Sequence, residues 1–297
     1  MKLLLDAKPT VYQAIDALRA ALAGGLDPEA DPARVVAAVP AGQLLLMPSS
    51  GEGFAGVKLA SVAPGNPERG LPRIQGHYLL LDGTTLSPLA LLDGIAITAV
   101  RTAAVSAVAA DVLARPEASR LVVFGTGPQA HSHVAALRAV RPVRELVVVG
   151  RDPARTRAFA AEYAELSART GTPDDVAEAD LVACCTTART PLFDGALLPE
   201  HATVVAVGSH EPEAREVDDT TVARSTVVVE AVTAGLREAG DVVLAVRSGA
   251  LAEEDIVPLA DLVAGRVPVP AGPRLFKSVG MAWEDLVVAA ATYRGLP

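Results

Sequence analysis

The stretch VVFGTGPQAHSH, residues 122–133, decides how the second half of this chain folds. Its apolar run reads as a strand ending at Phe124. Gly125 permits a tight turn and Gly127 lets the backbone approach a diphosphate. Thr126 lies between them. Pro128 suits the first helical position, where a missing N–H costs nothing. The helix that follows aims its amides and partial positive charge at an anion. Ala130 stands where many dinucleotide sites carry a third glycine, and a small residue there still allows close helix–strand packing.

Outward from this stretch, short branched-chain runs recur. They are LVVFG (121–125), ELVVVG (145–150), DLVAC (180–184), TVVAVG (203–208) and STVVVE (225–230), separated by alanine-rich helical stretches or loops. Buried parallel strands have this composition because helices cover both faces of the sheet. Strand–helix alternation predicts a doubly wound α/β sheet. With a second strand following the glycine loop, G-x-G-x-x-A has the context that dinucleotide binding requires. That second strand ends VVVGRDPAR, with Gly150 and Arg151 where an NAD site usually has an acid. Arg151 can pair with a 2′-phosphate, so NADP(H) is the preferred cofactor. Asp152 follows directly and leaves NAD(H) open.

The first hundred residues differ. QLLLMP and HYLLLDGTTLSPLALLDG are extended segments, and DGTT predicts a hairpin turn. This half reads as α+β with antiparallel strands, joined to the other by a helix over TAVRTAAVSAVAADVLARP (98–116). Length and composition fit a globular protein of about two domains: 297 residues, 51% hydrophobic but only 3% aromatic, with 24 glycines and 22 prolines. A net charge of -9 and the lack of a basic block argue against nucleic-acid or anionic-membrane partners. No secretory signal is visible, and no uninterrupted apolar run approaches the ~20 residues of a membrane span. The two adjacent cysteines, Cys184 and Cys185, read as buried free thiols of a cytoplasmic protein.

Five blocks, in order and spacing, resemble the ornithine cyclodeaminase/mu-crystallin family over nearly the whole chain. They are GVKLASVAPGNPERGLP (56–72), LLDGIAITAVRTAAVSAVAADVLARP (91–116), the GTGPQAHSH loop, VVAVGSHEPEAREVD (204–218) and LFKSVGMAWEDLVVAA (275–290). The resemblance implies a Rossmann domain (113–275) inserted in an α+β substrate-binding and dimerisation domain (1–112 plus 276–297), in a homodimer. It implies that Lys58 contacts a substrate carboxylate and relays a proton. Arg101 would lie between carboxylate and cofactor, with Arg34 as a further carboxylate ligand. Gly125, Gly127, Gln129 and Arg151 match cofactor positions. Thr186, Val207, Lys277 and Ser278 fall where the family's cofactor contacts are expected. The residues agree: three cations would fix an α-carboxylate, and a desolvated lysine among arginines has a lowered pKa and serves as an acid or base near neutrality.

The departures from the family direct the reading of activity. Cyclodeaminases carry an aspartate in G-G-D-x-P, whereas this block is GSHEP with His210 in its place. His210 is a candidate acid/base, since imidazole titrates near neutrality. Leu46 stands where an acid for a distal amine is expected, and Thr233 replaces a glutamate common among relatives. The carboxylate end is kept while the acids that would handle ornithine's amines are gone. The expected activity is NAD(P)H-dependent reduction of a small α-imino acid, or of a keto acid with ammonia. Ornithine cyclodeamination and NADP-dependent small-molecule binding without turnover are the alternatives. His131 and His133, two apart on a helix, diverge and predict no metal site. Glu284 and Asp285 read as a solvated or dimer-facing helix segment.

Overall fold

The structure, a computed structural model, describes residues 1–7, 9–269 and 271–295. The chain divides into two compact units, Met1–Arg101 with Met281–Pro297, and Thr102–Gly280.

In the first unit, β1 (Lys2–Leu4) and α1 (Val11–Ala23) precede a run of strands. These are β2 (Val35–Val39), β3 (Gly42–Gly51), β4 (Phe54–Val62), β5 (Ile74–Asp82) and β6 (Pro88–Asp93). Among the described residues they form one six-stranded sheet in the order β1-β6-β5-β4-β3-β2. All neighbours are antiparallel except the β1–β6 pair. The β5–β6 hairpin turns at DGTT, where Asp82 accepts from the amides of Thr84 and Thr85. Alternation along β4 buries Gly56, Lys58 and Ala60 on one face and leaves Leu59 48% exposed on the other.

Helix α2 (Gly94–Leu113) starts after Asp93, which accepts from the amides of Ile95 and Ala96. By length and composition it is apolar enough to cross a membrane, but most of it is buried inside the protein. It carries Arg101 and Asp111, so the sequence shows no unbroken apolar run. The division between the units falls inside this helix, at 101/102, and not at its end at 112/113.

The second unit contains β7 (Arg120–Phe124), α3 (Pro128–Val140), β8 (Glu145–Val149), α4 (Pro153–Ala161), β9 (Arg169–Thr170), β10 (Leu181–Cys184), β11 (Thr203–Ala206), α5 (Asp219–Arg224), β12 (Thr226–Val229), α6 (Val232–Glu238), α7 (Gly240–Ser248), β13 (Val257–Pro258), α8 (Leu259–Val263) and β14 (Arg274–Lys277). Its strands form a fully parallel eight-stranded sheet, ordered β13-β12-β14-β11-β10-β7-β8-β9 among the described residues. Each branched-chain run read from the sequence is a strand here. This is the doubly wound α/β fold.

A second boundary also differs from the expected one. The segment LFKSVG was expected to have left this unit at residue 276. Instead β14 pairs with both β11 and β12 in the middle of the sheet, and the chain leaves only after Gly280. It then forms α9 (Ala282–Arg294), which packs on α1 and on β3, β4 and β5 of the first unit.

Candidate active site

The first unit gathers the predicted cations. Lys58 projects from the inner face of β4, flanked across the strands by Met47 and Tyr78. It is 4% exposed, and Arg101 on α2 is 5% exposed. Their counter-charges come from α9, in the segment read as a solvated or dimer-facing helix. That expectation is wrong: Glu284 and Asp285 are both 0% exposed. Lys58 Nζ donates to Asp285 Oδ2 at 2.7 Å and to Thr98 Oγ1 at 3.2 Å. Arg101 Nε donates to Asp285 Oδ1 at 3.2 Å, and its Nη1 to Glu284 Oε2 at 2.5 Å. Buried charge must be paired. Lys58 and Arg101 in apolar surroundings therefore required two carboxylates, and the acids in the apolar run GMAWEDLVVAA were the available ones. The signal was present but lay more than 180 residues away in sequence.

The start of α9 is held in place by Asp31. One of its oxygens accepts from the amide of Trp283 at 2.5 Å and the other from Ser49 Oγ at 2.6 Å. Burial raises the Asp31 pKa. Glu284 also accepts from the amide of Met281. Burial pulls Lys58 from 10.5 to about 8; Asp285 opposes this, and the charges of Arg101 and Arg34 reinforce it. Arg34, half-buried, thus acts on the same ammonium. The structure brings Arg34, Lys58 and Arg101 together in one unit, around a lysine that exchanges its proton near neutrality.

Leu46 does not join them. It pairs with Leu59 on the outer face of the sheet, 37% exposed, while Met47 shares the face of Lys58. A one-residue offset on a strand changes sides, so Leu46 cannot mark the place of a substrate-binding acid.

The second unit carries the dinucleotide loop. Gly125 adopts φ +109°, and a Cβ there would sit 2.6 Å from the carbonyl oxygen of Cys185. Gly127 caps α3 with no side chain, and beyond its missing Cβ lies open space. Pro128 occupies the first turn, and Ala130 is fully buried against the sheet. Thr126 and Gln129 are half-buried beside them. This bare, amide-lined helix start fits the diphosphate of a dinucleotide.

At the end of β8, Arg151 is exposed. Asp152 caps α4, its Oδ1 accepting from the amides of Ala154 and Arg155 at 2.8 and 3.2 Å.

The remaining expected cofactor residues serve the unit's interior. Lys277 is 1% exposed; its Nζ lies 2.8 Å from Asp241 Oδ2 and donates to the Ser209 carbonyl at 2.8 Å. Ser278 donates to Glu230, which also accepts from the amides of Val279 and Gly280. The Lys277 and Ser278 side chains thus help to hold β14 in place. Thr186 gives both its amide and its hydroxyl to Glu216, which also takes the amide of Gly208. Burial raises the Glu216 pKa, with Lys277 opposing. Val207 is half-buried and its amide donates to Cys184. His210 is exposed.

His131 bonds Tyr163, while His133 is buried between the Gln129 carbonyl and Ser106 Oγ. Burial lowers the His133 pKa to about 4, so this ring is neutral. Among the described residues, no group of three or more His, Cys, Asp or Glu is placed to hold a metal ion.

The sequence model of the ornithine cyclodeaminase/mu-crystallin family matches residues 6–296. The chain belongs to this family. It is 35% identical to a Δ1-pyrroline-2-carboxylate reductase of Colwellia psychrerythraea over 259 residues, 82% of this chain and 81% of that one. It is 37% identical to a Δ1-pyrroline-2-carboxylate/Δ1-piperideine-2-carboxylate reductase of Azospirillum brasilense, over 86% of this chain and 81% of that one. Among solved structures, the Thermococcus litoralis Δ1-pyrroline-2-carboxylate reductase, in complex with NADH and L-proline, superposes with a TM-score of 0.92. It is 32% identical, covering 99% of this chain and 97% of that one.

Proposed function

We propose that this family member is an NAD(P)H-dependent reductase of small cyclic α-imino acids of the pyrroline-2-carboxylate class. The observation that carries the reading is the buried Lys58–Asp285–Arg101 cluster. It supplies a cationic anchor for an α-carboxylate and, one carboxylate away, an ammonium that can release a proton. The relatives named as reductases support the same chemistry.

When bound, the reduced nicotinamide supplies the hydride. Arg101 and Arg34 hold the substrate carboxylate and fix the adjacent C=N carbon. Lys58 gives a proton to the imine nitrogen as that carbon becomes tetrahedral, and recovers one from water afterwards. The product is the cyclic amino acid. His210, exposed on its loop, is not needed as an acid in this scheme.

NADP(H) is the preferred cofactor in this reading. Arg151 is exposed at the end of β8, and the acid that follows it, Asp152, caps α4 with its carboxylate. The chain acts as a homodimer. Val35, Leu46 and Leu59 lie in register across β2, β3 and β4, where they expose an apolar outer sheet face of a kind that water disfavours. The free thiols Cys184, buried, and Cys185, half-buried, suit a reducing cytoplasm.

The test is an NADPH-oxidation assay with pyrroline-2-carboxylate, piperideine-2-carboxylate, and pyruvate plus ammonia, run beside ornithine. Rapid reduction of a cyclic imino acid is expected. Ammonia release from ornithine with proline as product and no net NADPH use would overturn the reading.

A further inference from the structure

Assigning proton delivery to Lys58 leaves open how a flexible four-carbon side chain presents its proton in one direction. The structure answers with two acceptors. An ammonium has three N–H donors and no acceptor. One N–H goes to Asp285 Oδ2 at 2.7 Å and a second to Thr98 Oγ1 at 3.2 Å. The Thr98 hydroxyl is itself oriented, because it donates to the Gly94 carbonyl at 2.7 Å and so turns a lone pair toward Lys58. Asp285 cannot swing away, because its other oxygen accepts from Arg101 Nε at 3.2 Å and the carboxylate is fully buried. Two fixed acceptors define the direction of the third N–H, which has no hydrogen-bond partner among the described residues. We propose that Asp285 and Thr98 are positioning residues for imine reduction: together they aim the third Lys58 N–H at the substrate nitrogen, and Asp285 sets the spacing between that proton and the carboxylate-binding Arg101.

The inference rests on the reductase reading above, with neither residue touching the substrate. It predicts that the two residues act on kcat through Lys58 and not on cofactor binding, because the dinucleotide loop is a separate element. It also separates their effects. Asp285 is charged and stabilises the ammonium, whereas Thr98 is neutral and only orients it. Removing the Asp285 charge lowers the Lys58 pKa further, and removing the Thr98 acceptor mainly frees the ammonium to rotate.

The experiment compares wild type, Thr98→Val, Asp285→Asn and Asp285→Glu in steady-state reduction of pyrroline-2-carboxylate from pH 6 to 10. Thr98→Val is nearly isosteric, and its kcat should fall roughly tenfold, a part of what general acid catalysis provides, with KM within about twofold. Asp285→Asn should move the alkaline limb of kcat/KM down by about one pH unit, as loss of an adjacent opposite charge does. A purely structural role would leave that limb in place. Asp285→Glu keeps the charge but displaces it, so it should hold the limb and lose kcat. This variant decides the matter if Asp285→Asn does not fold.

Wild-type kcat in both Thr98→Val and Asp285→Glu, or an unmoved limb in a folded Asp285→Asn, would overturn the proposal. If wild type reduces no imino acid, the reductase reading fails by itself. NMR titration of ¹³C-labelled lysines then tests the Asp285–Lys58 contact on which the aiming depends. A Lys58 titration that shifts in Asp285→Asn supports the geometry, and one that does not overturns it.

Discussion

Lys58 is the group whose titration should be visible in the kinetics. An acid must be protonated to give its proton, so activity is present below its pKa and lost as pH rises through it. Burial holds Lys58 near 8, against 10.5 for an exposed lysine. The protonated fraction then falls from about 90% at pH 7 to roughly 10% at pH 9, so kcat/KM for imine reduction should drop about ninefold over that span. A lysine at its ordinary value would lose only a few per cent there. Lys58→Arg sharpens the test. Guanidinium keeps the charge that faces the carboxylates but holds its proton above pH 12. Substrate should still bind, kcat should fall by about 10²–10⁴-fold, and the limb near pH 8 should vanish from the residual rate. The assay is NADPH oxidation at saturating cofactor, with product confirmed by chromatography. An imine that titrated by itself would impose the same limb on both proteins. A limb retained in Lys58→Arg, or a variant as fast as wild type, would refute the assignment.

Three further outcomes are expected. Arg151→Ala should weaken NADP(H) binding about 10- to 100-fold, the worth of one charge-assisted contact, and leave NAD(H) within about threefold; fluorescence titration checks this, and equal wild-type affinities would count against it. Light scattering at micromolar concentration should give a dimer mass, and Leu59→Lys on the outer sheet face should shift it toward monomer. Lys277→Met should strand the buried Asp241 charge and cost about 3–5 kcal/mol in chemical denaturation. A stable Lys277→Met protein that no longer binds NADPH would instead show a cofactor role for that side chain.

The parallel strands were legible because their environment is uniform. When helices cover both faces, a strand such as ELVVV has no polar side to confuse its reading. The dinucleotide loop was legible because its glycines do separate jobs, one at positive φ and one beside open space. Lys58 betrayed its burial through its neighbours in GVKLASV. What sequence reasoning missed was pairing across distance. Glu284 and Asp285 looked like surface acids because local composition does not say which buried cation lies opposite. Lys277 shows the same blindness: its partner Asp241 lies on α7, and nothing in LFKSVG reveals that pairing. Leu46 failed through register, since three leucines and a methionine in a row give no sign of which face each takes.

The end of β8 has a consequence for how cofactor choice could change in this lineage. Under the proposed NADP(H) preference, the shortest route to NAD preference places an acid at Gly150, where the strand ends. A Cβ at that position would meet the Thr156 hydroxyl at 2.5 Å. Thr156 is β-branched and buried, and its hydroxyl is tied to the Asp152 carbonyl at 2.7 Å, so it has little freedom to retreat. Gly150→Asp alone therefore forces Thr156 or the strand end to shift. Thr156→Ala would remove that contact, together with the hydroxyl's bond to the Asp152 carbonyl at the start of α4. A change at Arg151, which is exposed, meets no such contact.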